Sequence, residues 1–250
     1  MRYASFAFAV LASLVATLAP SVASAQRIES ASLLAPFSSA RPGTVLPPGW
    51  ELFRLAPNKS LTLYRFVEDM GVVVLHAHAE AAASGIVAPV RFDINATPIL
   101  QWRWKVAQLI EDADNAVASR EDSPVRIILN FDGDRARLSL RDRASSAIAK
   151  RISGRDLPYA ELMYIWSNRA PVGTVIENPH THRIEMVVAT TGAAQVGQWV
   201  TVRRNVVDDF RRAFNELPGL VTEVGVLTDT DNTGATVDAW YGDIRFLAAP

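Results

Sequence analysis

The chain has 250 residues, carries 25 Lys and Arg against 26 Asp and Glu for a formal charge of −1, and contains no cysteine. So even a balance lacks the concentrated basic surface on which nucleic-acid binding rests. The absence of thiols excludes disulfide staples, thiolate zinc sites and a lipid-anchored lipoprotein.

Residues 1–25 read as a secretory signal peptide: Arg2 near the start, an uncharged and mostly apolar run from Tyr3 to Ala19, then Pro20 and the small triplet Ala23-Ser24-Ala25 before Gln26. The run stops short of the ~20 apolar residues that a spanning helix needs. The expected product is periplasmic or secreted, without a transmembrane segment, and with a formal charge of −2 once Arg2 is removed. Residues 26–49, rich in Ser, Ala and Pro, read as a linker, and residues 50–250 as a single domain.

Short strand-like runs follow at Trp50–Leu55, Leu61–Val67, Val72–Ala79, Gly85–Ile94 and Leu100–Val106, most of them separated by Gly, Pro, Asn or Asp. Such spacing predicts a mainly β fold, an antiparallel β-sandwich of jelly-roll type. Successive strand residues face opposite ways, so Val73, Leu75, Ala77 and Ala79 take the core side and send His76, His78 and Glu80 outward. In the same way Leu100, Trp102, Trp104 and Val106 point inward and Gln101, Arg103 and Lys105 outward. An acidic connection from Glu111 to Pro124 reads as a mobile loop at a sheet end. Val125, Ile127, Leu129 and Phe131 then alternate with Arg126, Ile128 and Asn130, and Asp132-Gly133-Asp134 turns the chain.

Ala144, Ala147, Ile148 and Ile152 fall at helical spacing, with Gly154 as the stop. Three further strands are expected at Glu161–Ser167, Arg183–Ala189 and Gln198–Arg204. A second amphipathic helix carries Val207, Phe210, Phe214 and Leu217 on one side and Asp208, Asp209, Arg211 and Arg212 on the other. The chain closes on what reads as a hairpin, Gly225 to Gly234 and Trp240 to Phe246, joined by the acidic turn Asp229-Thr230-Asp231-Asn232-Thr233-Gly234.

Several constellations are candidate sites. His76 and His78 leave one face with Cα atoms about 6.6 Å apart, a spacing that holds a zinc ion only with a further ligand that the sequence does not identify; otherwise they are two histidines on the polar side of a sheet. The acidic turn matches an EF-hand at its first, third and sixth positions, but Thr233 stands at the fifth and Trp240 at the twelfth where Glu is required, so it is no EF-hand. A calcium ion of other geometry near Asp229 and Asp231 stays open beside a turn whose side chains serve their own backbone. Tyr241, Asp243 and Arg245 share one parity and form a polar strip, while Trp240 shares its parity with Ile244 and Phe246 and leans inward. The candidate ligand-binding set is therefore Asp229, Asp231, Asn232, Tyr241, Asp243, Arg245, His76, His78 and Arg103. No Gly-x-Ser-x-Gly elbow or phosphate-cradling glycine loop occurs; a catalytic carboxylate pair among Asp114, Asp122, Asp132, Asp229, Asp231 and Asp243 stays open, because its separation is a tertiary quantity, and no catalytic residue is assigned.

The segments Gln101-Trp102-Arg103-Trp104-Lys105-Val106, Leu157 to Trp166, Arg204 to Arg211, Thr228-Asp229-Thr230-Asp231-Asn232-Thr233 and Trp240-Tyr241-Gly242-Asp243-Ile244 together resemble an exported bacterial family, the domain of unknown function 3047. A weaker likeness is to jelly-roll carbohydrate-binding modules of the galactose-binding type, carried by the Trp-led strands at Trp50 and Trp199 and the Tyr241 to Ile244 end. The first resemblance carries no established activity and bears on the fold alone; the second implies a sandwich that binds a polar ligand such as a cell-envelope saccharide. An envelope hydrolase or lyase using a His/Asp pair, or an accessory partner of an envelope assembly, are the alternatives.

Overall fold

The computed structural model describes residues 34–249 apart from 154, 155 and 180. The expected signal peptide, the start of the 26–49 segment and the Gly154 stop lie outside the described residues. The described part of that segment is no free linker: Leu34 and Phe37 are buried, and Phe37 packs against Trp50 and Phe66 at ring-centroid distances of 5.0 and 5.7 Å.

Among the described residues, thirteen strands form two facing sheets. In chain order they are β1 (Glu51–Arg54), β2 (Leu63–Asp69), β3 (Val72–Glu80), β4 (Ala83–Asp93), β5 (Ile99–Val106), β6 (Ser123–Phe131), β7 (Ala160–Ser167), β8 (Val175–Glu177), β9 (Ile184–Thr191), β10 (Val200–Asn205), β11 (Leu220–Asp229), β12 (Thr236–Tyr241) and β13 (Arg245–Leu247). One sheet runs β1-β4-β11-β6-β7-β9-β8; the other runs β10-β5-β12-β3-β2, with β13 also paired to β5. Pairing is antiparallel throughout except between β7 and β9. The fold is thus the predicted jelly-roll-like β-sandwich, and among its described residues no helix is long and apolar enough to cross a membrane.

The alternation in β5 produces its expected result. Leu100, Trp102, Trp104 and Val106 are all at most 1% exposed and face the other sheet. There Trp102 meets Tyr164 at 5.0 Å and Trp104 meets Trp166 at 6.3 Å between ring centroids. In β6 the second face is not the polar surface that alternation suggested: Arg126, Ile128 and Asn130 are buried too. Ile128 joins Met163, Ile165, Met186, Val188 and Leu227 in a second apolar layer on the outside of the seven-stranded sheet, covered by Leu55, Ala170, Ile176 and Ile184.

The helix α1 (Leu140–Ser153) forms where expected, but Ala144, Ala147 and Ile148 are exposed. In α2 (Val206–Phe214), Asn205 caps the first turn by accepting from the Val207 and Asp208 amides. Val207 and Phe210 are buried as expected, whereas Leu217 beyond the helix is 64% exposed. Asp209, assigned to the polar side, is also buried, because Tyr164 donates to it at 2.9 Å and Arg204 and Arg212 pair with it.

Glu185 in β9 shares the inward parity of Val187 and Ala189, and burial pushes its carboxyl up to about 7, against a smaller downward pull from Arg183. A carboxyl with a raised folded-state pKa binds more protons when folded, so its contribution to stability falls as pH rises from about 4.5 to about 7 and stays low above that. Glu185→Gln should therefore raise the thermal midpoint at about pH 8 and leave it unchanged at about pH 4; equal effects at both values would place Glu185 in a solvated setting.

Candidate functional site

The terminal segment is not a hairpin. β11 pairs with β4 and β6, whereas β12 pairs with β3 and β5, so the acidic turn carries the chain from one sheet to the other. Crossing the sandwich places Tyr241 inside it. Its hydroxyl donates to the Leu227 carbonyl at 2.7 Å and lies 2.8 Å from Thr228 Oγ1, and burial pushes its pKa up. Tyr241 is fully buried, which removes it from the candidate surface. Trp240 correspondingly faces outward. The parity shifts because Gly242-Asp243-Ile244 interrupts the line between β12 and β13 along β5.

The outward face of the six-stranded sheet gathers most of the remaining candidates. Arg65, His76, Trp240 and Lys105 stand in register across β2, β3, β12 and β5. The His76 and Trp240 rings lie 5.1 Å apart, and the Lys105 ammonium sits 4.3 Å above the Trp240 ring. His76 Nε2 and His78 Nδ1 both reach Asp238 Oδ1, at 2.8 and 3.0 Å. Burial pushes His76 down, partly offset by Asp238; the Asp238 carboxyl is held low because the bonds to His78 and His76 outweigh its own burial. Both histidines thus share one carboxylate, Asp238, by hydrogen bonding, and these three side chains do not form a metal-holding group among the described residues.

This face is curled. Asp69 belongs to the edge strand β2, and Trp199 leads into the opposite edge strand β10; on a flat sheet four strand spacings, about 19 Å, would separate these edges. Asp69 Oδ2 nevertheless accepts from Trp199 Nε1 at 2.7 Å and from Lys105 Nζ at 2.6 Å, and the Lys105 bond holds this carboxyl low. The two-residue turn Met70-Gly71, with positive φ at both positions, makes the tight β2–β3 hairpin that presents Asp69.

Beside this clasp lies a hollow of about 330 Å³ lined by Ser38, Gln101, Arg103, Thr201, Asp243 and Arg245, among others. Asp243 accepts from the Ser38 amide and hydroxyl, both at 2.9 Å, and from Arg245 at 3.1 Å. The Arg103 guanidinium lies 4.5 Å from the centroid of the Trp199 ring. Its side chain crosses Gly242 so closely that a Cβ there would stand 2.5 Å from Arg103 Cγ and 2.6 Å from Nε. Glycine at 242 is therefore what lets Arg103 lie along the floor of the hollow. Arg103, Asp243 and Arg245, separated by some 140 residues of sequence, are brought together here; Trp199, Gln101, Thr201 and Ser38 were not anticipated as site residues.

Asp229, Asp231 and Asn232 form a different cluster, around the crossover turn. They meet Asp122, which stands just before β6 in the acidic connection that read as a mobile loop. Asp122 is buried and accepts from the Asn232 amide at 3.1 Å, the Thr233 amide at 2.8 Å and the Thr233 hydroxyl at 2.6 Å. Asn232 Nδ2 donates to the Ala118 carbonyl, and Lys59 pairs with Asp231. Arg126 bridges Glu121 at 3.0 Å and Asp229 at 3.1 Å. Burial pushes the Asp229 carboxyl well up against the opposing pull of Arg126.

The family model described as "Protein of unknown function (DUF3047)" matches residues 48–245. No curated protein matches the chain. Among solved structures it is similar to the xyloglucanase domain of NopAA from Sinorhizobium fredii, solved with cellobiose, at 8% identity and a TM-score of 0.44 over 84% of this chain and 99% of that one. It is also similar to the carbohydrate recognition domain of Emp47p, at 10% identity and a TM-score of 0.40 over 87% and 95% of the two chains. A third is SGBP-B from a xyloglucan utilization locus in Bacteroides uniformis, at 12% identity and a TM-score of 0.35 over 79% and 49%. These are remote likenesses of fold.

Proposed function

Since this chain belongs to the DUF3047 family, which carries no assigned activity, we propose its function from the site itself: it binds a saccharide-class ligand in the hollow on the outward face of the six-stranded sheet. The observation that carries this reading is the mixed lining of the hollow. Two guanidiniums, an amide, two hydroxyls and a carboxylate converge on about 330 Å³ beside the Trp199 ring. Sugar hydroxyls both donate and accept, so they use such a lining more fully than a purely anionic or purely apolar ligand does. Asp243 is the one carboxylate on the lining, whereas glycoside hydrolysis by the common route needs a pair, and this favours binding over hydrolysis. With the export expected from residues 1–25, the ligands that such a protein would meet are saccharides of the cell envelope.

The test is calorimetric titration of the chain with a panel of neutral and acidic glycans that includes envelope fragments. Arg103→Ala should weaken binding at least about tenfold, the effect of losing roughly 1.4 kcal/mol, with an unchanged melting temperature. Gly242→Ala should copy that loss by displacing Arg103. Full affinity in both variants, or no binding across the panel, would remove the hollow from consideration.

A further inference from the structure

The crossover turn holds a second site, independent of the hollow. Among the described residues, the one group of three or more His, Asp or Glu side chains with metal-holding geometry is Asp122, Asp229 and Asp231, whose ligand atoms all lie within 4.8 Å of one another. An acidic cluster alone proves little, but one of its oxygens is exceptional. Asp229 is 5% exposed, its Oδ2 accepts from Arg126, and its Oδ1 is buried without a hydrogen-bond partner. The group that interacts with Asp229 inside the cluster is the Asp122 carboxylate, which is itself an acceptor. A buried carboxylate oxygen without a partner lacks the positive charge or donor that burial demands.

All the donor atoms are oxygens, which suits a hard ion and not a soft transition metal. Calcium takes several carboxylate oxygens in a flexible geometry, whereas magnesium demands a near-ideal octahedron and keeps several of its waters.

We propose that Asp122, Asp229 and Asp231 bind one calcium ion, which ties the crossover between β11 and β12 to the start of β6. Three ligands from two segments far apart in sequence would make the ion a cross-link between the start of β6, the end of β11 and the turn that leaves it for the other sheet.

The experiment uses the full chain stripped with chelator and then titrated with calcium, with melting temperature and calorimetric stoichiometry as readouts. Calcium at a hundredfold its Kd should raise the melting temperature by roughly 5 to 10 °C, and excess chelator should reverse the rise. Asp231→Asn, at the less buried corner, and Asp229→Asn should each abolish most of it. No rise, or an equal rise in both variants, would overturn the proposal. Should either variant fail to fold, calorimetry on the unmodified chain decides: one calcium per chain supports the site, and none or several weak ones overturns it.

Discussion

Arg126→Met should lower stability by about 3 to 5 kcal/mol, the cost of stripping one partner from a buried ion pair. Arg126 is 1% exposed although it sits on the parity of β6 opposite the main core. Its Nη1 donates to Glu121 Oε1, its Nη2 donates to Asp229 Oδ2 and to the Glu121 carbonyl, and the sulfurs of Met163 and Met186 lie 3.6 and 3.4 Å from Nη1. Methionine would fit among those thioethers, so the loss measures charge more than volume. Without the guanidinium, Glu121 and Asp229 would remain as buried carboxylates repelling each other and Asp122. Asp229→Asn in the Arg126→Met background should therefore recover part of the loss, and the double-mutant cycle in urea melts reads that coupling directly. A cost below about 1 kcal/mol for Arg126→Met, or strict additivity, would show that water reaches the cluster and screens it.

How legible this protein is depends on whether the deciding interaction is local. Strict alternation in β5 identifies Trp102 and Trp104 as core and Arg103 as outward, because one face of that strand meets the opposite sheet and the other does not. The same rule misreads β6, since loops and an apolar layer cover its second face, and a covering loop leaves no mark on the strand beneath it. Asp229, Asp231, Asn232 and Gly234 do announce a turn. Whether the strand after a turn pairs with its predecessor or crosses to the other sheet is set by the partners that β3 and β5 offer to β12, and these lie far away in sequence. The faces of Trp240 and Tyr241 are reversed for a separate reason: the strand line breaks at Gly242-Asp243-Ile244, and parity read back from Ile244 and Phe246 does not carry across the break. Of the two sites, the hollow was half visible as the outward residues Arg103, Asp243 and Arg245. The proposed cation site was visible as Asp229 and Asp231, while its third carboxylate, Asp122, comes from more than a hundred residues earlier.

The core tryptophans supply the other large effect. Trp102→Ala and Trp104→Ala should each cost about 3 to 5 kcal/mol, because a fully buried indole leaves a void that neighbouring rings cannot fill. The two should not cost the same. Trp104 Nε1 donates to Thr190 Oγ1 at 3.1 Å, so its removal also leaves a buried hydroxyl short of a donor, whereas Trp102 Nε1 has no partner to lose. Phenylalanine separates these contributions: Trp102→Phe discards an unsatisfied N–H and should be the milder change, while Trp104→Phe should retain the penalty at Thr190. Arg103→Ala, on the outward face of the same strand, should cost under about 1 kcal/mol, since surface changes rarely exceed that. Urea melts that rank Trp104→Ala first, Trp102→Ala second and Arg103→Ala a distant third would establish that β5 divides by parity, with stability carried on one face and not on the other. Arg103→Ala costing as much as either tryptophan would mean that the Trp199 clasp is part of what holds the sheet together, and ligand binding at the hollow would then have to be tested with Thr201→Val instead.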